Sequence, residues 1–175
     1  DTLFGTVFGG KHLFVGTGIH DSSASLVPYL KAAKGKFILA STGTWCITMN
    51  PFNSEPLTAD QLAKDCLCYL TPQKKQVKSS RLFMGHFHEV AAGRLAGFFK
   101  KPFDSFKIVG LDTALITSLS KRYNNKQLFF PEGKDNAETT LGKVDLSQFK
   151  DYGEAYTKLV MDLTGLFLDS YKLVL

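Results

Sequence analysis

Cysteine is scarce in this 175-residue chain, where Cys46, Cys66 and Cys68 make an odd set. They read as reduced core thiols rather than as a disulfide framework. Cys66 and Cys68, two positions apart, point to the same face of a strand, and a Cys-x-Cys pair alone is a weak metal signal. Long hydrophobic runs are missing too. Gly, Lys or Ser interrupts every apolar stretch well short of the roughly 18 residues of a membrane span, and no secretory leader is recognisable. A cytoplasmic protein without a membrane partner is therefore expected. Charge of one sign is not concentrated: the net charge of +5 suits an anionic ligand, yet Lys and Arg are scattered. The tightest cluster, Lys74-Lys75-Gln76-Val77-Lys78, reads as a solvated turn, so nucleic acid is not the expected partner. There is no internal repeat or low-complexity tract. What is present is ordinary globular composition, 44% hydrophobic, 13% aromatic and 21% charged, which excludes a disordered chain. The length suits one domain, or one domain plus a piece of another.

Leu13-Phe14-Val15 reads as a short buried strand running into Gly16-Thr17-Gly18. Asp21 follows this glycine-flexible approach and precedes small residues, so its carboxylate suits the N-cap of a short helix. Pro28 should end or kink that helix, and Lys31-Ala32-Ala33-Lys34-Gly35 reads as a linker. Residues 37–40 and 45–49 form a hairpin around Thr42-Gly43-Thr44. A further strand pair covers residues 66–70 and 77–84, closed by Gly85. Apolar residues at a period near 3.6 predict a helix over residues 86–99, a second capped by Asp112, and a longest one from Tyr152. In the last, Tyr156, Leu159, Val160, Leu163, Leu166, Phe167, Ser170 and Tyr171 share one side, with Lys158, Asp162 and Asp169 on another. No C-cap signal comes after it.

Asp21 is either a general base, as a carboxylate that takes the proton of an attacking hydroxyl, or only a helix cap. Thr42-Gly43-Thr44 can cradle an anion through backbone amides and a threonine hydroxyl, although such a turn alone is a weak signal. His86-x-His88-Glu89 lacks the three- or four-residue spacing of ligands on one helical face and reads as a helix start. Ser22, Ser23 and Ser25 lie near His20, but there is no Gly-x-Ser-x-Gly elbow.

Ile19-His20-Asp21-Ser22-Ser23-Ala24-Ser25 and, downstream, Ala40-Ser41-Thr42-Gly43-Thr44-Trp45 resemble the paired motifs of FGGY-family carbohydrate kinases, most closely the rhamnulokinase and fuculokinase branch. Leu57-Thr58-Ala59-Asp60-Gln61-Leu62 and Arg81-Leu82-Phe83-Met84-Gly85 are similar to the segments that come next in rhamnulokinases. The resemblance is strong over residues 16–50 and loose beyond 100. It implies an α/β, actin-like ATPase (RNase H-like) fold and ATP- and Mg2+-dependent phosphorylation of a ketose such as L-rhamnulose or L-fuculose. Asp21 matches the family's catalytic base, His20 and Ser22 would line the sugar side, and Thr42, Gly43 and Thr44 match the phosphate-binding hairpin. The expected partners are a small-molecule sugar and ATP, with a homodimer as an option. Residues 1–30 would be the tail of the N-terminal sugar-binding domain, 31–36 the hinge, and 37–175 the first part of the C-terminal nucleotide-binding domain. The family's Asp-x-Gly-Thr loop and glycine-rich adenosine segment are missing, so the isolated chain is expected to be inactive. A non-catalytic sugar- or nucleotide-binding module of the same fold is the alternative.

Overall fold

A computed structural model describes residues 4–16, 18–133 and 143–175. Thr17, in the approach to Asp21, lies outside them. Strands β1 (Phe4–Phe8) and β2 (Lys11–Val15) pair antiparallel across Gly9-Gly10, whose φ values of 57° and 74° suit a two-residue hairpin turn. The strand expected at residues 13–15 is there, but all of β2 is exposed and Phe14 retains 79% of its surface. Hydrophobicity marked the strand and not its burial.

Helix α1 (Asp21–Ala32) runs through Pro28 instead of stopping at it, and takes in Lys31 and Ala32 from the segment read as a linker. Leu26, only 1% exposed, anchors it to a small core with Met49 and Val77, backed by Leu30 and Phe37. Burying one such aliphatic side chain contributes about 1.5–3 kcal/mol, comparable to the roughly 3 kcal/mol of a helix-interior proline. Packing therefore carries the helix past Pro28.

The central sheet is antiparallel throughout. Its strands β3 (Leu39–Ser41), β4 (Cys46–Asn50), β5 (Cys66–Leu70) and β6 (Gln76–Leu82) lie in the order β3-β4-β6-β5. Side chains alternate between its faces. Met49 and Val77 meet α1 on one face, whereas Cys46 and Leu82 enter the main core on the other. Helix α2 (Ala59–Ala63) begins with a capping box between Thr58 and Gln61.

The main core lies between the sheet and helices α3 (Met84–Phe98) and α5 (Tyr152–Lys172), with α4 (Thr113–Tyr123) against α5. Asp112 and Asp151 cap α4 and α5 by accepting from the N–H groups of Leu115 and Glu154. Gly85, read as closing the sheet, is instead the second residue of α3.

Two expectations for α5 change. Lys158 and Asp162, placed with the outward charges, are 2% and 3% exposed and form a buried ion pair. Val160, placed on the apolar side, is 41% exposed. The carbonyls at the end of α5 are capped from elsewhere in the chain: Asn50 Nδ2 donates to Val174 O at 2.8 Å, Gln61 Nε2 to Leu173 O at 2.9 Å and Ser80 Oγ to Ser170 O at 2.7 Å.

Candidate functional site

The N-terminus of α1 presents the first candidate residues. His20, in extended backbone, is the N-cap, and its Nδ1 accepts from Ser22 N–H at 3.2 Å. Asp21, expected as the cap, is the first helical residue, where a carboxylate is favourable to the helix dipole. Its Oδ1 accepts from Ser22 N–H at 2.6 Å and lies 3.0 Å from His20 Nδ1, while the side chain as a whole is 92% exposed. The capping need is thus shared by two residues, and the rest of the carboxylate is open to a ligand. The His20 ring stacks on Tyr69 of β5 with centroids 5.1 Å apart and planes 18° apart, which ties this corner of α1 to the sheet.

Thr42, Gly43 and Thr44 lie in the exposed loop joining β3 to β4. Gly43 is not in the left-handed region, and a Cβ built on it would meet only Trp45 O, at 3.9 Å. The fold itself does not require glycine there, so its backbone is left bare for close approach. The loop is held from the other side. Thr44 O accepts from Gly85 N–H at 2.9 Å, and Trp45 stacks on Phe83 at 4.3 Å, which in turn stacks on His86 at 4.9 Å.

Arg81 joins the two candidate regions. It faces the α1 side of β6, opposite Ile47, with its guanidinium 5.4 Å from the Trp45 ring centroid and ion-paired to Asp65. Asp65 has φ of 63°, a left-handed backbone uncommon outside glycine. Burial pushes the Tyr69 hydroxyl above its ordinary range; the Arg81 charge opposes that and the Asp21 and Asp65 charges reinforce it. The charges of Asp21, Arg81 and Asp65 are thus all felt at one tyrosine, and Arg81 also lies against Trp45, directly after the Thr42-Gly43-Thr44 turn. His20 on Tyr69 and Arg81 on Trp45 tie the neighbours of the carboxylate and of the turn to the α1 face of the sheet.

Tyr69, Asp65 and Arg81 are not candidate site residues by sequence. Strand alternation places Tyr69 and Arg81 on the α1 face, but the left-handed conformation of Asp65 has no sequence signal. His86 and His88 diverge: His86 joins the aromatic stack, whereas His88 Nε2 is hydrogen-bonded to Tyr156 OH at 2.9 Å. Among the described residues no three His, Cys, Asp or Glu side chains form a metal-binding group, and no helix is long and apolar enough to cross a membrane. An open depression of about 600 Å3, lined by Lys36, Phe37, Asn50, Phe52 and Tyr171, shares none of the candidate residues.

No family model matches the chain, and no curated protein matches its sequence. Among solved structures it is similar to a carbohydrate kinase from Novosphingobium aromaticivorans, with a TM-score of 0.58 and 20% identity over 90% of this chain and 34% of that chain. The chain thus spans about a third of the length of that kinase and shares its fold over that part.

Proposed function

We propose that these residues belong to an ATP-dependent carbohydrate kinase of actin-like, RNase H-like architecture, acting on a ketose of the L-rhamnulose or L-fuculose kind. The observation that supports this reading is the run of contacts on the α1 face, His20 on Tyr69 beside Asp21 and Arg81 on Trp45 beside the Thr42-Gly43-Thr44 turn. The fold shared with a carbohydrate kinase supports it. In this reading residues 1–30 complete a sugar-binding domain, 31–36 are the hinge, and 37–175 open the nucleotide domain.

Phosphoryl transfer between oxygens depends on positioning and charge stabilisation more than on covalent chemistry by the protein. Asp21, exposed and hydrogen-bonded through one oxygen, takes the proton of the attacking sugar hydroxyl. His20 and Ser22 flank it and orient the sugar. The amides and hydroxyls of Thr42, Gly43 and Thr44 hold the donor phosphates. Mg2+ would travel on those phosphates and neutralise part of their charge.

The test is a coupled ADP-release assay with ATP, Mg2+ and L-rhamnulose, L-fuculose or D-xylulose, on the longer polypeptide that contains these residues. Asp21→Asn is expected to lower kcat by about 10²–10⁴, the usual contribution of a general base. Undiminished turnover would remove Asp21 as the base, and absence of turnover in the unaltered protein would favour a non-catalytic binding module. The 175 residues alone should show little turnover, and robust activity from them would contradict that expectation.

A further inference from the structure

The resemblance and the turn supply an anion cradle made of backbone and hydroxyl groups, but transfer of a phosphoryl group also calls for a cation on its oxygens. Arg81 is such a cation: it is ion-paired to Asp65 and lies against Trp45, the residue after the turn. We propose that Arg81 is a phosphate-contacting residue of the site, and that Asp65 is the positioning residue that holds its guanidinium ready. This rests on the reading of the Thr42-Gly43-Thr44 turn as a phosphate cradle.

Three features support it. Arg81 is next to last in β6, so it stands at the end of the sheet where the β3–β4 loop lies, with Ile47 as its cross-strand partner. Its guanidinium lies against Trp45, the residue after the turn, and a planar cation on an indole is oriented without losing its donors to the ring. Its ion pair with Asp65 is 34% exposed on both sides, so incoming phosphate oxygens can compete for the fork. Asp65 has no helix or strand of its own: it comes after α2 and precedes β5, in a left-handed conformation. A strained acceptor that fixes one arginine beside the turn is better suited to presenting that arginine than to stabilising the sheet, because partly exposed ion pairs contribute little to stability.

The experiment titrates the unaltered 175-residue chain, Arg81→Gln, Arg81→Lys, Asp65→Asn and the control Lys107→Gln with inorganic tripolyphosphate, monitored by calorimetry and by 31P NMR. Melting curves establish that each variant is folded at the working temperature. Arg81→Gln should weaken binding about tenfold or more, since a charge-assisted hydrogen bond is worth about 1.5–3 kcal/mol, and Arg81→Lys should recover only part of the loss because an ammonium lacks the fork. Asp65→Asn should weaken binding only a few-fold, less than Arg81→Gln, because the guanidinium keeps its charge and loses only its fixed orientation. Lys107→Gln, which removes an exposed charge from another region, should change it little. Binding that is unchanged in Arg81→Gln, or changed equally by the Lys107 control, overturns the proposal and leaves the cradle reading standing. Equal weakening by Arg81→Gln and Asp65→Asn shows a merely structural pair and overturns it as well. If the unaltered chain binds no tripolyphosphate at millimolar concentration, the cradle reading fails and the proposal falls with it.

Discussion

Gly85 donates its N–H to the carbonyl of Thr44 at 2.9 Å, and a Cβ added to Gly85 would come within 2.7 Å of Thr44 Cα and 3.0 Å of Thr44 O. Helix α3 and the β3–β4 loop are therefore in contact backbone to backbone. Both blocking atoms belong to main chain, so no side chain can yield. Gly85→Ala should destabilise the chain by about 1–3 kcal/mol, the usual cost of overpacking, and should lower Tm by several degrees in a thermal melt. Gly43→Ala is the contrast: its Cβ meets one atom at 3.9 Å, so Tm should hardly move while tripolyphosphate binding weakens. A Gly85→Ala protein as stable as the original would show that the loop is free to shift.

The buried pair on α5 yields a second, ordered expectation. Lys158 Nζ donates to Lys126 O at 2.8 Å as well as to Asp162, and Asp162 Oδ2 accepts from Leu128 N–H at 2.7 Å and Phe129 N–H at 2.9 Å. Losing one partner of a buried pair typically costs about 3–5 kcal/mol. Asp162→Leu should be the worse of the two, because it removes the counter-charge of a buried ammonium and the acceptor of two backbone N–H groups, whereas Lys158→Met leaves the carboxylate those two N–H groups. The double variant should recover part of the loss and remain below the original, since the Leu128 and Phe129 N–H groups still lack their Asp162 acceptor. Urea denaturation of the three proteins checks the order.

The same pair shows where sequence reasoning stops. Helix periodicity, the Asp112 cap and the β3–β4 hairpin depend on neighbours within a few residues and were legible from the chain. That Lys158 and Asp162 turn inward depends on residues 126–129, some 30 positions away, whose backbone groups make charge tolerable in a core. The capping of α5 by Asn50 and Gln61 spans more than 100 positions and leaves no local trace. In the site, Asp21 and the Thr-Gly-Thr turn stood out as motifs. Their connection through Tyr69, Asp65 and Arg81 required knowing that β6 lies between β4 and β5.

His88 makes stability depend on pH. Burial lowers its imidazole below the ordinary value of 6.5, with the Glu89 charge pulling the other way. Its Nε2 is engaged with Tyr156 OH, and its ring meets Phe106 edge-on. The unfolded chain therefore binds the proton more readily than the folded one, and stability rises with pH through this window. The contribution of neutral His88 is complete above pH 6.5 and is lost as pH falls below it toward the depressed folded value. Chemical denaturation at steps from about pH 7.5 to 5 should show this decline, and His88→Gln should remove that component. An unchanged slope in the variant would assign the effect to another group.

Nδ1 of His20 is offered two incompatible roles. Accepting from Ser22 N–H at 3.2 Å needs its lone pair, while donating to Asp21 Oδ1 at 3.0 Å needs a proton there. A neutral ring with its hydrogen on Nε2 caps α1 and leaves Asp21 free to accept a proton from substrate. A ring with its hydrogen on Nδ1 gives up the cap and occupies the carboxylate. Helix α1 should survive loss of the imidazole in His20→Ala, because Asp21 Oδ1 also accepts from Ser22 N–H, at 2.6 Å. In Asp21→Ala the imidazole is the acceptor left to this N–H, so removing it as well should cost about 1 kcal/mol of helix start, the usual value of an N-cap. The Ser22 amide shift, compared by NMR among the two single variants and the double variant, separates the cases. The amide should retain most of its hydrogen-bond shift in His20→Ala and lose it in the double variant. A Ser22 amide that is the same in Asp21→Ala and in the double variant would show that the cap is not made by the imidazole.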